Sequence, residues 1–457
     1  MGNKTQVTAN CRTMNSQSKD TGILEPANAS PVKVIQRDGQ VKHIVIIGVL
    51  FFIFGFISWL NAVLIPYFQL ACQLTTQQAM LVTFAFYISY LIMAFPSSWV
   101  IGKTGYKNGI VLGLWVMALG ALVFIPAAMR REYGMFLLGL FVQATGLTIL
   151  QTAANPYVTI LGPLESAAMR MSVMGVCNKL AGAIAPLLFL GMVSKDAGEV
   201  DRLTALLPGL STASAEQLLN ELSARLITPY VTLAIALAGL GILIRFASLP
   251  DISDEARPGP TADSLDSKKS LLDFPHLILG AVAVFCSVSV EVIAVDTIIN
   301  YSQFQGAAFK DARFFSTYIL LIMIFSYIVG IIVIPKRVTQ RQALLGSSVI
   351  GAVFSVLAIL WNGQQSVWMI ACLGFGNALI WPSIWPLALD GLGKFTRRAS
   401  ALLITGIVGG ALSPLLYGTL SDRLDPRIAY VIMVPLYIFL FFYAIAGYKA
   451  GKQKMVY

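Results

Sequence analysis

The sequence predicts an all-α membrane protein with twelve transmembrane helices arranged as two six-helix bundles. Three observations point there. Of 457 residues, 57% are hydrophobic and only 12% charged, a balance far more apolar than that of soluble domains. The apolar residues gather into runs of about 20, the length that crosses a hydrocarbon core of roughly 30 Å. Most basic residues fall in short loops and tails that alternate threading places on one side.

Residues 1–43 are mostly polar and include Lys19, Lys33, Arg37 and Lys42. No early small-residue cleavage site follows an apolar run, so the segment reads as a disordered cytoplasmic tail and not as a signal peptide. Spans are expected near 44–68, 79–101, 108–129, 134–157, 170–193 and 227–248, which make an N-terminal bundle over 44–248. Its longest connection, 194–226, carries a short amphipathic helix over Ala213–Leu226 outside the bilayer. A cytoplasmic linker, 249–274, contains DISDEARPGPTADSLDSKKSLLD, charged and rich in Pro and Ser. Six more spans, near 275–300, 312–335, 342–361, 365–389, 397–420 and 429–447, make a C-terminal bundle over 275–447. A cytoplasmic tail, 448–457, closes the chain.

Charge orients this arrangement. Lys42, Lys103, Lys107, Arg170, Lys268, Lys269, Lys336, Arg337, Arg341, Lys394, Arg397, Arg398, Lys449, Lys452 and Lys454 fall on one side. Loops 70–78 and 362–366 on the other side carry no Lys or Arg, while Arg130, Arg131, Lys310 and Arg313 dissent. Both termini are therefore expected in the cytoplasm of a multi-pass inner-membrane protein. The same distribution explains the net charge of +10 without nucleic acid as a partner. Two histidines leave little room for a His-based metal site, and Cys11, Cys72, Cys177, Cys286 and Cys372 show no CxxC spacing. Enzyme signatures such as GxSxG, HExxH or a Walker loop are absent, as are the filter repeats or like-charge rings of a channel. The Gly-rich stretch GIVGGALSP at 406–414 reads as close helix packing.

Polar residues inside the spans are the candidates for function, because stripping water from an amide costs several kcal/mol unless a partner replaces it. In span four, Thr148, Gln151 and Asn155 share one helical face, with Gln143 two turns before Gln151. Such a row can bind water or sugar hydroxyls in a cavity; it can also hold helices together. Span one offers Ser58, Trp59, Asn61 and Pro66. Span five offers Asn178 and Lys179, and Lys179 lies too deep for easy snorkelling, so it needs a partner, neutralisation or water. Span seven supplies Glu291, Asp296 and Asn300. Ideal helix geometry sets Glu291 and Asp296 about 140° apart, whereas Asp296 and Asn300 share a face. In span ten, Asn377, Trp381 and Trp385 recur every fourth residue beside Pro382 and Pro386. An indole can stack on a pyranose ring. It can also anchor a helix at the interface, a reading that Trp385 fits. Pro66, Pro156, Pro186, Pro382 and Pro386 permit bends. No arginine falls deep within a span, which favours a small, hydroxyl-rich neutral solute over an anion.

Several segments carry a resemblance. QTAANPYVTILGP at 151–163 is close to ETAANPFVTxLGP, LNAVLIPYF at 60–68 follows LNDxLLPxF, and GKTGYKNGIVLGL at 102–114 is a weakened helix-two-to-three loop. That loop lacks the acidic and one basic residue of the general pattern. On these the chain resembles the major facilitator superfamily, and more narrowly its fucose–galactose–glucose:proton symporter family, over nearly all of 44–447. The resemblance implies the major facilitator fold, alternating access and no enzymatic activity. It implies cation-coupled uptake of a neutral hexose such as glucose, galactose or mannose, or of an N-acetylhexosamine, by a functional monomer without a cofactor.

Asn178 matches the family's sugar-binding asparagine. Two departures stand out: the acidic residue of helix one falls on Ala62, and the glutamate of helix four falls on Gln151, which cannot carry a proton. The expected sugar ligands are Asn61, Gln151, Asn155, Asn178, Asn377 and Trp381. Glu291, Asp296 and Lys179 remain for coupling. A carboxylate could titrate, with H+ as coupling ion; Asp296 or Glu291 could hold Na+, although no metal ligand is otherwise assigned; or the charges could form a structural pair in an uncoupled sugar facilitator. A drug or lipid carrier of the same fold, or a transport-like receptor, are the other readings.

Overall fold

The computed structural model describes the backbone of residues 37–74, 76–160, 163–193, 199–247, 270–307, 309–312 and 314–451, with side chains undescribed at a few of these positions, residues 61–67 among them. The expected tail before residue 37, most of the linker (249–269) and the last six residues lie outside the described residues.

All regular structure in these segments is helical. In chain order, one-turn segments aside, the helices are α1 (Arg37–Ala71), α2 (Thr76–Arg130), α3 (Tyr133–Ile160), α4 (Ala167–Val193), α5 (Glu199–Leu206), α6 (Thr212–Arg225) and α7 (Ile227–Phe246). They continue as α8 (Pro275–Phe304), α9 (Phe314–Val333), α10 (Gln340–Leu360), α11 (Gly363–Asn377), α12 (Ile380–Leu389), α13 (Thr396–Thr405), α14 (Gly409–Arg423) and α15 (Met433–Ile445). Because α1 begins at Arg37, residues 37–43 are helical, where the sequence suggested tail.

Among the described residues, nine helical stretches are long and apolar enough to cross a membrane. One of them, Leu81–Arg130, spans 50 residues, far longer than a bilayer needs. It contains two of the expected spans, divided at Gly105, whose φ of 79° and ψ of 168° are open to glycine and strained for other residues. The expected spans 44–68 and 170–193 are helical within α1 and α4.

Several expected spans are interrupted, spans ten and eleven among them. Span ten breaks at Ala378–Leu379, between α11 and α12. The break puts Pro382 in the first turn of α12, where its missing N–H costs nothing, while Pro386 leaves an acceptor free further along. Span eleven passes through a 3₁₀ turn at Gly406–Val408 between α13 and α14. Glycines there meet α8 closely: a Cβ at Gly409 would sit 2.4 Å from the Phe285 carbonyl oxygen. The 406–414 stretch is thus a packing surface, as its composition suggested.

The amphipathic helix of the long connection is α6. Ser211 caps it by accepting from the Ser214 N–H at 3.3 Å, and Arg225 at its end bridges to Glu199 at 2.9 Å and to Glu221 at 2.8 Å. At α10, Thr339 and Gln342 form a reciprocal capping box.

Helix packing falls mainly within each side of the linker: α1 on α4, α2 on α3 and α7, α10 on α11 and α15, α14 on α8. Between the two sides, α4 packs on α9 and α12, while α13 packs on α2 and α3.

Candidate functional site

The polar face of α3 divides in the structure. Thr148 and Thr152 donate to carbonyls one turn back, at 2.8 and 2.7 Å. Gln151 donates its amide N–H to the Tyr90 hydroxyl at 3.1 Å. Asn155 is 1% exposed, and neither its oxygen nor its nitrogen has a hydrogen-bond partner among the described residues. The Gln143 amide nitrogen is likewise unpartnered. Buried amides in this state keep their full hydrogen-bonding capacity.

Asn178, on α4, faces α1. Its oxygen accepts from the Trp59 indole N–H at 3.5 Å, and its nitrogen donates to the Phe51 carbonyl at 3.4 Å. Both bonds sit at the long limit of useful geometry. The side chain of Asn61 lies outside the described residues.

Next to Asn178, Lys179 is 4% exposed and forms an ion pair with the Glu291 carboxylate of α8. Its ammonium also lies 4.5 Å from the centroid of the Trp59 ring, a favourable cation–π position. The charge that could not snorkel has thus found a carboxylate across the linker and an indole from α1.

Asp296 takes no part in that pair, and ideal helix geometry sets it about 140° around α8 from Glu291. Among the described residues it has no ion pair or hydrogen bond, and it lies within electrostatic range of Tyr87 and Glu291. Asn300 is exposed. Glu291 is also in range of Tyr87, Tyr327 and Tyr437. No group of three or more His, Cys, Asp and Glu suited to a metal occurs among the described residues.

Asn377 closes α11 in a buried position. It accepts from the Tyr437 hydroxyl at 2.5 Å and donates to the Val290 carbonyl at 3.5 Å. Its amide is engaged by helices on its own side of the linker. Trp381 is half-buried, with its ring centroid 5.6 Å from that of Trp385 and the planes 51° apart. Trp385 is 0% exposed, and its indole N–H has no partner among the described residues. The interfacial reading of Trp385 is therefore corrected: the break at Ala378–Leu379 starts a new helix that carries this residue inside.

Sequence reasoning missed the tyrosines. Tyr87 and Tyr90 stand one turn apart on α2, and Tyr327 and Tyr437 come from α9 and α15. Each is an aromatic residue in an apolar run, so its composition signals only core; the hydroxyl partners of Tyr90 and Tyr437 arise from tertiary packing.

A family model described as Major Facilitator Superfamily matches residues 47–406. A glucose/galactose transporter of Brucella abortus biovar 1 (strain 9-941) is 33% identical over 406 residues, covering 88% of this chain and 93% of the relative. A putative glucose/galactose transporter of Helicobacter pylori (strain J99) is 31% identical over 416 residues, covering 88% and 96%. The L-fucose-proton symporter of Escherichia coli (strain K12) is 29% identical over 386 residues, covering 82% and 85%. A crystal structure of the transporter FucP in the outward conformation aligns with a TM-score of 0.76 at 25% identity, covering 89% of this chain and 98% of that one.

Proposed function

The chain belongs to the major facilitator superfamily, within the branch of glucose/galactose transporters and L-fucose–proton symporters, and on that premise we propose that it takes up a small neutral sugar together with a proton. It is a transporter and not an enzyme. The sugar in this reading is a hexose of the glucose or galactose type, or an N-acetylhexosamine. The working unit is a monomer in the inner membrane, with both termini in the cytoplasm. Two six-helix bundles, 44–248 and 275–447, joined by a linker at 249–274 and flanked by tails at 1–43 and 448–457, alternate their access around a central site.

The observation that carries the reading is the Lys179–Glu291 pair. It joins a helix of one half to a helix of the other, and Lys179 directly follows Asn178 on α4. In the mechanism, Gln151, Asn155, Asn178 and Trp381 hold the sugar, and Asn61 contributes from α1. Asn377, already bonded to Tyr437, is the ligand that this reading ties most loosely to the sugar. Glu291 is held by Lys179 until the pair opens. Asp296, which has no such cation, takes the proton. Neutralising it removes a buried charge and permits the halves to rock. The close approaches of Gly102 to Arg397 and of Gly330 to Ser172 across the seam lie near the helix ends that the basic residues mark as cytoplasmic and support an outward-facing state, like that named for the aligned FucP structure.

A second reading, uncoupled facilitation, draws on Ala62 and Gln151, which stand where the family has acids. Uptake of labelled glucose, galactose, mannose and N-acetylglucosamine into proteoliposomes, under separate proton and sodium gradients, tests all of this. Accumulation driven by protons supports the proposal, and accumulation driven only by sodium turns the same carboxylates into an ion site. Equilibration without accumulation leaves a facilitator. No uptake of any of these sugars overturns the sugar reading in favour of a drug or lipid carrier.

A further inference from the structure

Just before the kink at Gly105, a cavity of about 320 Å³ opens between α2 and α13. Three cations line it, Lys103 from α2 and Arg397 and Arg398 from the first turn of α13, with no carboxylate among the described lining residues. The arginine is set close by local packing: a Cβ on Gly102 would lie 3.0 Å from the Arg397 guanidinium carbon, so a larger residue there would push it away. The Ser98 hydroxyl donates to the Arg397 carbonyl at 3.4 Å, which ties the start of α13 to α2. On the outer side, the Lys103 ammonium sits 3.9 Å from the centroid of the Trp99 ring. Trp99 is 63% exposed, and Phe95, one turn before it, is 49% exposed.

An apolar aromatic ledge that runs into a cluster of cations has a distinct chemical complement. Aromatic residues near the end of a span sit at the boundary between headgroups and acyl chains. Basic pockets between transmembrane helices take phosphate-bearing headgroups, with guanidinium donors matched to phosphate oxygens. We propose that this cavity binds the phosphate of an anionic phospholipid, whose acyl chains lie along Phe95 and Trp99. Because the cations come from helices on opposite sides of the linker, a bound phosphate bridges α2 and α13 and holds this end of the seam together.

The test uses the full chain in phosphatidylcholine nanodiscs, with phosphatidylglycerol as the lipid probe. Native mass spectrometry after release, and the thermal unfolding midpoint, read retention. The wild type is expected to keep phosphatidylglycerol in preference to phosphatidylcholine and to unfold at a higher temperature in its presence. The K103Q/R398Q variant is expected to retain about tenfold less. The K103R/R398K variant, which keeps both charges and guards against a folding defect, retains it at near the wild-type level. Removing the same charge elsewhere, in K336Q/R337Q, leaves retention unchanged; an equal loss there reduces the effect to general surface attraction and overturns the site. Inorganic phosphate in detergent is the second probe. Stabilisation by phosphatidylglycerol alone supports the lipid source, and stabilisation by phosphate alone overturns it in favour of a soluble anion. No stabilisation by either overturns the site itself.

Discussion

Before the linker, the buried amides stand with few partners: Asn155 has none among the described residues, and the bonds of Asn178 stretch to 3.4 and 3.5 Å. After it, polar groups close on one another. Tyr437 donates to Asn377 at 2.5 Å, Ser413 to Ser289 at 2.6 Å, and Thr297 meets Tyr430 at 2.7 Å. Tyr301 meets Ser366 in the same manner. Exceptions on this side include Ser383 and Trp385, both on α12 with Trp381. An unsatisfied amide in hydrocarbon is tolerated only where something else will satisfy it. On the proposed reading, the contrast sets loosely bonded amides before the linker, available to sugar hydroxyls, against a more tightly hydrogen-bonded side after it.

The largest expected effect tests the link between the two sides. Glu291→Gln leaves the Lys179 ammonium buried without its counter-charge, which costs about 3–5 kcal/mol. Thermal unfolding in detergent should show this loss, and proton-driven accumulation should fall about a hundredfold. K179M/E291Q should recover most of the stability and little of the accumulation. A single variant as stable as the wild type would mean that the pair does not join the halves.

The next effect separates the two kinds of asparagine. Asn377→Ala strands the Tyr437 hydroxyl and should lower stability by about 1–3 kcal/mol, with a small change in KM. Asn155→Ala loses no bond in the empty carrier. It should leave stability within about 0.5 kcal/mol and raise the KM for sugar about tenfold. Reversed outcomes would break the comparison.

Gly175→Ala probes the seam itself. A Cβ there would lie 2.5 Å from the Tyr327 ring, so overpacking by about 1–3 kcal/mol should bias the carrier away from this state. Cysteine labelling of each face would register the shift. Tyr90→Phe is the mildest. It frees the Gln151 amide at a cost of about 1 kcal/mol, and KM should change by less than about threefold.

The helices were legible because each expected span needed only length and apolarity, which composition supplies directly. The amide row on α3 was legible for the same kind of reason, since spacing within one helix fixes a shared face. The choice of Glu291 over Asp296 as partner for Lys179 was not, because it depends on the rotation of α8 against α4. The burial of Trp385 was hidden by the break at Ala378–Leu379, which no single residue announces. Tyr90 and Tyr437 were hidden because a phenol in an apolar run looks like core until its hydroxyl meets an amide from another helix.

The grouping of Lys179, Glu291 and Asp296 has an electrical consequence. These three sum to one negative charge when Asp296 is ionised and to zero when it takes a proton. In the proposed cycle, with Asp296 as the group that takes the proton, the loaded carrier crosses as a neutral body and the empty one returns carrying negative charge. Membrane voltage acts on that charge with about 2.3 kcal/mol per elementary charge per 100 mV for full transit. With the interior negative, voltage drives the empty carrier outward and leaves the loaded step indifferent. The dependence of uptake on voltage therefore belongs to the return of the carrier, and it should disappear when sugar exchanges for sugar.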